Sequence, residues 1–328
     1  MGKKSPSRRP CIDSTQGRDG MKGNAPEASV VRAVAEKYIS DVVSVERVSK
    51  GWSTYVYRVT TDSNTYYIRF LPEDASFAAE VLAHNILLDK GVTVPRVIGF
   101  EHRDETTGLS VMVTEEIPGV CVEDEWPRDD LRGILREAGR QIARVHEVPV
   151  DGFGWIDRTS HDKLKAEKRT FQDYFTEFLS SDLQALERYE FTDEERVRIA
   201  DLMGTACQML DTQDAVLVHG DFDVSHIFHS NGRYRGLIDF GEIRGNNRLF
   251  DLATFTLFDG SPDRIAYSHI LEGYREATRL ADDDLYGAEL MVLFRILRFL
   301  GKEVNDSSRE FWYRATKRQL TRIADASD

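Results

Sequence analysis

Three cysteines in 328 residues, Cys11, Cys121 and Cys207, are too few for a disulfide framework and show no metal-binding spacing; they point to a reducing cytoplasm. Long apolar runs are missing too. The best candidate, Met291 to Leu300, is interrupted by Arg295 and Arg298 and falls short of the roughly 20 residues a membrane span needs, so no membrane partner is expected. The opening Met1 to Asn24 is polar, basic and Gly-rich and has no signal-peptide core; residues 1–25 are expected to be a disordered extension, with Met21 an alternative start. Positive charge is in deficit. Forty-three Lys and Arg against 56 Asp and Glu leave a net charge of −13, which argues against a nucleic-acid partner and favours a small cationic one. What is present, 41% hydrophobic residues, is enough for two lobes sharing a cleft.

The informative stretch lies past the middle. A short apolar strand, Ala215 to Val218, runs into His219-Gly220-Asp221, where a loop carboxylate can accept the proton of a substrate hydroxyl. Five residues on, His226 offers a ligand atom at the start of a second apolar run. Asp239 ends a third, and Gly241 after it is expected to let the chain turn. Asn231-Gly232 is the turn signal of a hairpin, which would place base and metal ligands on adjacent strand ends. Upstream, Lys50-Gly51-Trp52-Ser53-Thr54 is a turn between two strands, able to cover phosphates with backbone N–H groups.

His219-Gly220-Asp221, Asp239-Phe240-Gly241 and Asp251-Leu252-Ala253 together resemble the aminoglycoside phosphotransferase family of the protein-kinase-like superfamily. The resemblance runs from about Ser44 to Leu300. It implies an α+β bilobal fold: residues 26–118 as a small antiparallel sheet with one helix and a hinge, residues 119–328 as a larger, mainly helical catalytic lobe. It implies ATP or GTP as donor with Mg²⁺, Asp221 as catalytic base, and Asp239 and His226 as metal ligands; His226 stands where the family usually has Asn. Gly51, Ser53 and Thr54 would cover the phosphates. Arg69, on the strand Tyr66 to Phe70, would clamp them and pair with Glu80 on the helix Phe77 to Leu88. Backbone groups at Glu115 and Ile117 would hold the purine edge, while His219 and Asp251 would organise the catalytic loop.

Between hinge and loop the pattern becomes helical: Leu131 to Val148, a loop at Gly152-Phe153-Gly154-Trp155, then helices Phe171 to Leu186 and Thr192 to Leu210, the last with a Thr192/Glu195 capping box. Ile265 to Arg279 and Leu285 to Leu300 follow, the second preceded by the helix-start cluster Asp282-Asp283-Asp284. Carboxylates at Asp223, Glu242, Asp259 and Asp263 would meet the ammonium groups of an aminoglycoside or aminocyclitol, giving antibiotic resistance by O-phosphorylation. A macrolide kinase would instead need an apolar pocket, for which Trp155, Phe255, Phe258 and Trp312 are candidates. The same motifs are compatible with a choline- or homoserine-type metabolite kinase, a protein kinase or a nucleotide-binding pseudokinase. A monomer is favoured.

Overall fold

The computed structural model describes residues 25–48, 53–72, 75–125, 131–211, 214–258, 265–302 and 306–326; Met1 to Asn24, Gly51, Asp259 and Asp263 lie outside them. After helix α1 (Ala28–Ala35) come strands β1 (Ser44–Val48), β2 (Tyr55–Thr60) and β3 (Thr65–Leu71), helix α2 (Ala78–Asp89), and strands β4 (Val97–Glu101) and β5 (Ser110–Glu115). The five strands form one antiparallel sheet in the order β1, β2, β3, β5, β4. Side chains on a strand alternate between faces. Ile68, Phe70, Val111 and Val113 therefore pack on one side with Val31 and Val34 of α1. Met112 goes to the other side with Phe77 and Val81. Arg69 is the register partner of Met112, so the pleat sends it to the α2 side, where Glu80 waits.

The larger part begins with β6 (Val120–Cys121), the short α3 (Val122–Glu125) and α4 (Arg132–Val145). Two short strands, β7 (Phe153–Ile156) and β8 (Ala166–Lys168), precede α5 (Phe171–Thr176), α6 (Leu179–Ala185) and α7 (Asp193–Leu210). Strands β9 (Val216–Val218), β10 (Ile227–Ser230), β11 (Arg233–Leu237) and β12 (Arg244–Asn246) carry the central motifs, and α8 (Leu249–Phe258), α9 (Ile265–Ala277), α10 (Asp282–Gly301) and α11 (Asp306–Asp325) complete the lobe. Two small sheets, β11-β10-β6 and β8-β7-β12-β9, carry the loops that hold Asp221 and Asp239 at their strand ends. The fold is thus an N-terminal antiparallel sheet joined to a larger helical part.

Several local expectations hold. Thr192 caps α7 and Glu195 reciprocates, as the capping box requires. Asn231 and Gly232 have φ of 52° and 68°, the doubly left-handed pair of a tight hairpin turn between β10 and β11. Two expectations change. Gly152 to Trp155 is not a loop, because Phe153–Ile156 pairs with both β8 and β12. The helix expected over Phe171 to Leu186 is broken at Glu177 and Phe178, and a 3-10 turn, Leu186–Arg188, follows α6. Helices α1, α8 and α11 were not expected from the sequence pattern.

Helix α9 crosses α4 at unusually close range. A β-carbon on Gly139 would fall 2.1 Å from the Ile270 carbonyl oxygen, and one on Gly273 would fall 1.7 Å from that of Arg136. Arg132 with Glu272, and Arg136 and Arg140 with Glu276, line the outer edge of this crossing.

Candidate active site

Strand β9 delivers the catalytic loop at its end. Gly220 has φ of 86°, and a β-carbon there would lie 1.9 Å from the Glu242 carbonyl oxygen, so both backbone shape and space demand glycine. The loop is held from below by Asp251 on α8. Its Oδ2 accepts from the His219 backbone N–H at 2.7 Å and its Oδ1 from that of Gly220 at 2.9 Å. His146, at the end of α4, donates from Nε2 to Asp251 at 3.0 Å, and its Nδ1 meets the Tyr274 hydroxyl of α9 at 2.9 Å. Burial pushes the Asp251 carboxyl up, but the His146 hydrogen bond and charge, with help from His219 and the Gly220 N–H, hold it below the ordinary carboxylate range.

His219 is fully buried and fully used: Nε2 donates to the Ile238 carbonyl at 2.9 Å, and Nδ1 accepts from the Asp221 N–H at 3.3 Å. Its ring packs on Phe240 and His226, with centroids 4.5 and 5.6 Å away. The side chain of Asp221 remains 40% exposed. Nδ1 of His226 donates to the Asp221 carbonyl oxygen at 2.7 Å, which turns Nε2 toward Asp239 Oδ2, 3.8 Å away.

Asp239 itself takes the left-handed conformation, φ 64° and ψ 64°, while Gly241, expected to make the turn, sits in a short 3-10 segment, Phe240–Glu242. Asp is one of the few residues that tolerates this backbone region, so the turn needs no glycine. The other carboxylate oxygen, Oδ1, lies 3.6 Å from Nη2 of Arg69. Both separations exceed hydrogen-bond length and leave the carboxylate open to another ligand. Burial works against its charge, yet Arg69, His226 and His219 keep its pKa below the ordinary value. Arg69 is itself fixed by an ion pair from Nη1 to Glu80 and by the Phe77 ring, 5.1 Å from its guanidinium carbon. Ser53, Thr54, Arg69 and Glu80 share one small cavity between the lobes with Trp155 and Gly241.

The donor set suits a hard cation. Carboxylate oxygens are the ligands magnesium prefers, and Asp239 presents both of its own to the cleft beside the free edge of His226. Asp221, Asp223 and His226 also approach within 4.8 Å of one another, but around the Nδ1 side that already serves the loop. Asp223 is 1% exposed, and its Oδ1 accepts from the backbone N–H and hydroxyl of Ser225 at 2.7 and 2.5 Å. It is therefore a loop-folding carboxylate rather than an open acceptor contact. Glu242 is paired with Arg244 at 3.0 Å. Glu115 ends β5 with its side chain exposed, and Ile117 lies over Gly236 of β11. Of the aromatic residues considered for an apolar acceptor pocket, Phe255 and Trp312 are buried in the core, against Phe222 and Phe299 respectively, Trp155 is half-buried and lines the cavity between the lobes, and the side chain of Phe258 lies outside the described residues.

The loop brace through His146 and Tyr274 was not anticipated. Its only trace in the sequence is a histidine on the apolar face of α4, one turn after Ile142.

A family model, the phosphotransferase enzyme family, matches residues 44–286. The chain belongs to that family and is a phosphotransferase. An aminoglycoside 3'-phosphotransferase of Streptomyces ribosidificus is 27% identical over 63% of this chain and 76% of its own length. The same-named protein of Streptomyces fradiae is 30% identical over 56% of this chain and 65% of its own, just under two thirds. Among solved structures, a thermostable mutant of the aminoglycoside phosphotransferase APH(4)-Ia, in ternary complex with ADP and hygromycin B, superposes with a TM-score of 0.66 at 15% identity, covering 89% of this chain and 98% of that one. At that identity it speaks for the fold.

Proposed function

We propose that this phosphotransferase moves the γ-phosphoryl group of ATP or GTP to a hydroxyl of an aminoglycoside or aminocyclitol, with loss of antibiotic action as the result. The observation that carries the reading is the convergence of Asp221, His226, Asp239 and Arg69, drawn from both lobes and each within 4 Å of the next. Phosphoryl transfer asks for positioning and charge neutralisation, and these four side chains are matched to that demand. Arg69, steadied by Glu80, grips phosphate oxygens; backbone N–H groups at Ser53 and Thr54 cover them, and the backbone at Glu115 and Ile117 meets the purine. Asp239 and His226 would hold magnesium, which would supply neutralisation of the phosphate charge. Asp221 accepts the proton of the attacking hydroxyl and orients its oxygen in line. The two curated relatives support an aminoglycoside acceptor, and the burial of Phe255 and Trp312 speaks against a macrolide.

The test is nucleoside-diphosphate release with magnesium and either ATP or GTP across aminoglycosides, hygromycin B and macrolides. Acceptor-stimulated release is expected with aminoglycosides, and Asp221→Asn should lower kcat by about 10² to 10⁴, the usual worth of a positioned base, while ADP affinity stays unchanged. Undiminished turnover in that variant would remove Asp221 from its role.

A further inference from the structure

The wall of the large lobe around Trp155, which lines the cavity between the lobes, carries an excess of positive charge that the phosphate site does not use. Arg244 of β12 stacks on Trp155, its guanidinium carbon 3.9 Å from the ring centroid, and stands 5.4 Å from the Phe250 ring. Arg295 of α10 lies 4.1 Å from the same Phe250 ring. Arg298, one turn further along α10, and Lys302 just past its end extend the group. Their counter-ions are incomplete. Arg244 has Glu242, and Arg298 has Asp182 at 2.5 Å. Among the described residues Arg295 and Lys302 have no carboxylate partner; Arg295 is only 9% exposed, and its Nε makes no hydrogen bond. A buried guanidinium supported by one aromatic face alone is an arrangement that favours an incoming anion. Burial and the neighbouring Arg244 also depress the Arg295 pKa, to about 10, and the charges of Tyr174, Asp221 and Asp251 act on it, placing it within electrostatic reach of the proposed base.

We propose that Arg295 and Lys302, flanked by Arg244, form a receptor for an oxyanion, a carboxylate or a phosphate, carried by the acceptor. The acceptor read above would then carry an acidic substituent besides its hydroxyls and ammonium groups, a feature that overall charge does not suggest. This rests on the reading of Asp221 as the base facing the acceptor.

The test uses the full chain saturated with magnesium and a non-hydrolysable ATP analogue, so that added phosphates cannot occupy the nucleotide site. Calorimetric titrations compare glucose, gluconate, glucose 6-phosphate and inorganic phosphate. At least one anionic probe is expected to bind tenfold or more tightly than glucose, and the carboxylate and phosphate arms identify which oxyanion fits. Arg295→Met, which keeps length and apolar contact with Phe250, and Lys302→Ala, at a less buried position, should each remove most of that preference while nucleotide affinity is retained. No preference for charge in the wild type, or a preference that survives both substitutions, overturns the receptor; a melting temperature lowered by Arg295→Met with selectivity unchanged assigns the arginine to packing and does the same. Anion binding lost in Arg295→Met, alongside absence of turnover with every acceptor, would leave the receptor standing and bring down the phosphotransfer reading instead.

Discussion

The two nitrogens of His226 face different tasks, Nδ1 serving the Asp221 carbonyl and Nε2 facing Asp239. Burial alone would lower its pKa, but the carboxylates of Asp223, Asp221 and Asp239 outweigh this and raise it from 6.5 to about 9. The folded, metal-free protein therefore favours imidazolium. The stabilisation is complete below about pH 6.5 and is lost as pH rises through about 9. Metal at Nε2 must displace that proton, so magnesium–nucleotide affinity should rise with pH over the same window, by about tenfold per unit when one proton is released. Calorimetric titration with magnesium and ADP from pH 6.5 to 9, repeated on His226→Asn, checks this. A slope that vanishes in the variant marks His226 as a ligand, whereas a flat profile in the wild type would exclude it. At this scale the sequence was most readable where a polar residue ended an apolar run, as at Asp221 and Asp239. It was silent on His146, whose partner Asp251 is 105 positions away, and misleading on Asp223, whose place in a loop hid its burial beneath a turn.

Elements with punctuation declared themselves, and those without did not. Helix α7 announces its start through Thr192 and Glu195. Helix α8, Leu-Phe-Asp-Leu-Ala-Thr-Phe-Thr-Leu-Phe, is apolar on nearly every side because it runs through the core, so no helical period stands out. The crossing of α4 and α9 also escapes a single-element view, since Gly139 and Gly273 acquire meaning only when the two backbones meet. Gly273→Ala should force these backbones apart, costing about 1 to 3 kcal/mol as overpacking does, and more if neither helix can shift. Because α4 and α9 carry His146 and Tyr274, the variant should lose kcat in the fraction that remains folded. Thermal melts together with rates at low temperature would check both effects; an unchanged melting temperature would mean the crossing is looser than its geometry.

The molecule as a whole joins the small sheet, which has a core of its own, to a large lobe whose core also takes in Ala79, Ala83 and Leu87 of α2. At the cleft, Arg69 of the small lobe and Asp239 of the large lobe stand 3.6 Å apart, where a bound magnesium–nucleotide would add a further connection. At a free concentration one hundred times Kd it should stabilise the fold by about 2.7 kcal/mol. In Asp239→Ala the magnesium-dependent part of that gain should disappear, leaving the response to ADP the same with metal or with chelator. Chemical denaturation under both conditions measures it, and a retained magnesium effect would place the metal elsewhere. The two-part plan was legible because strand-rich and helix-rich stretches follow one another along the chain. The basic wall of α10 was not, because Arg244 of β12 is far along the chain from Arg295 and Lys302, and each looks like a surface charge in a chain of net −13.

Asp251 grips the catalytic loop by main-chain N–H groups at residues 219 and 220, a handle available on every residue except proline. The hold is blind to much of the chemistry it positions. Substitutions along the cleft that spare Gly220, Asp251 and His146 would therefore leave the support of residue 221 in place, and with it the position of the proposed base.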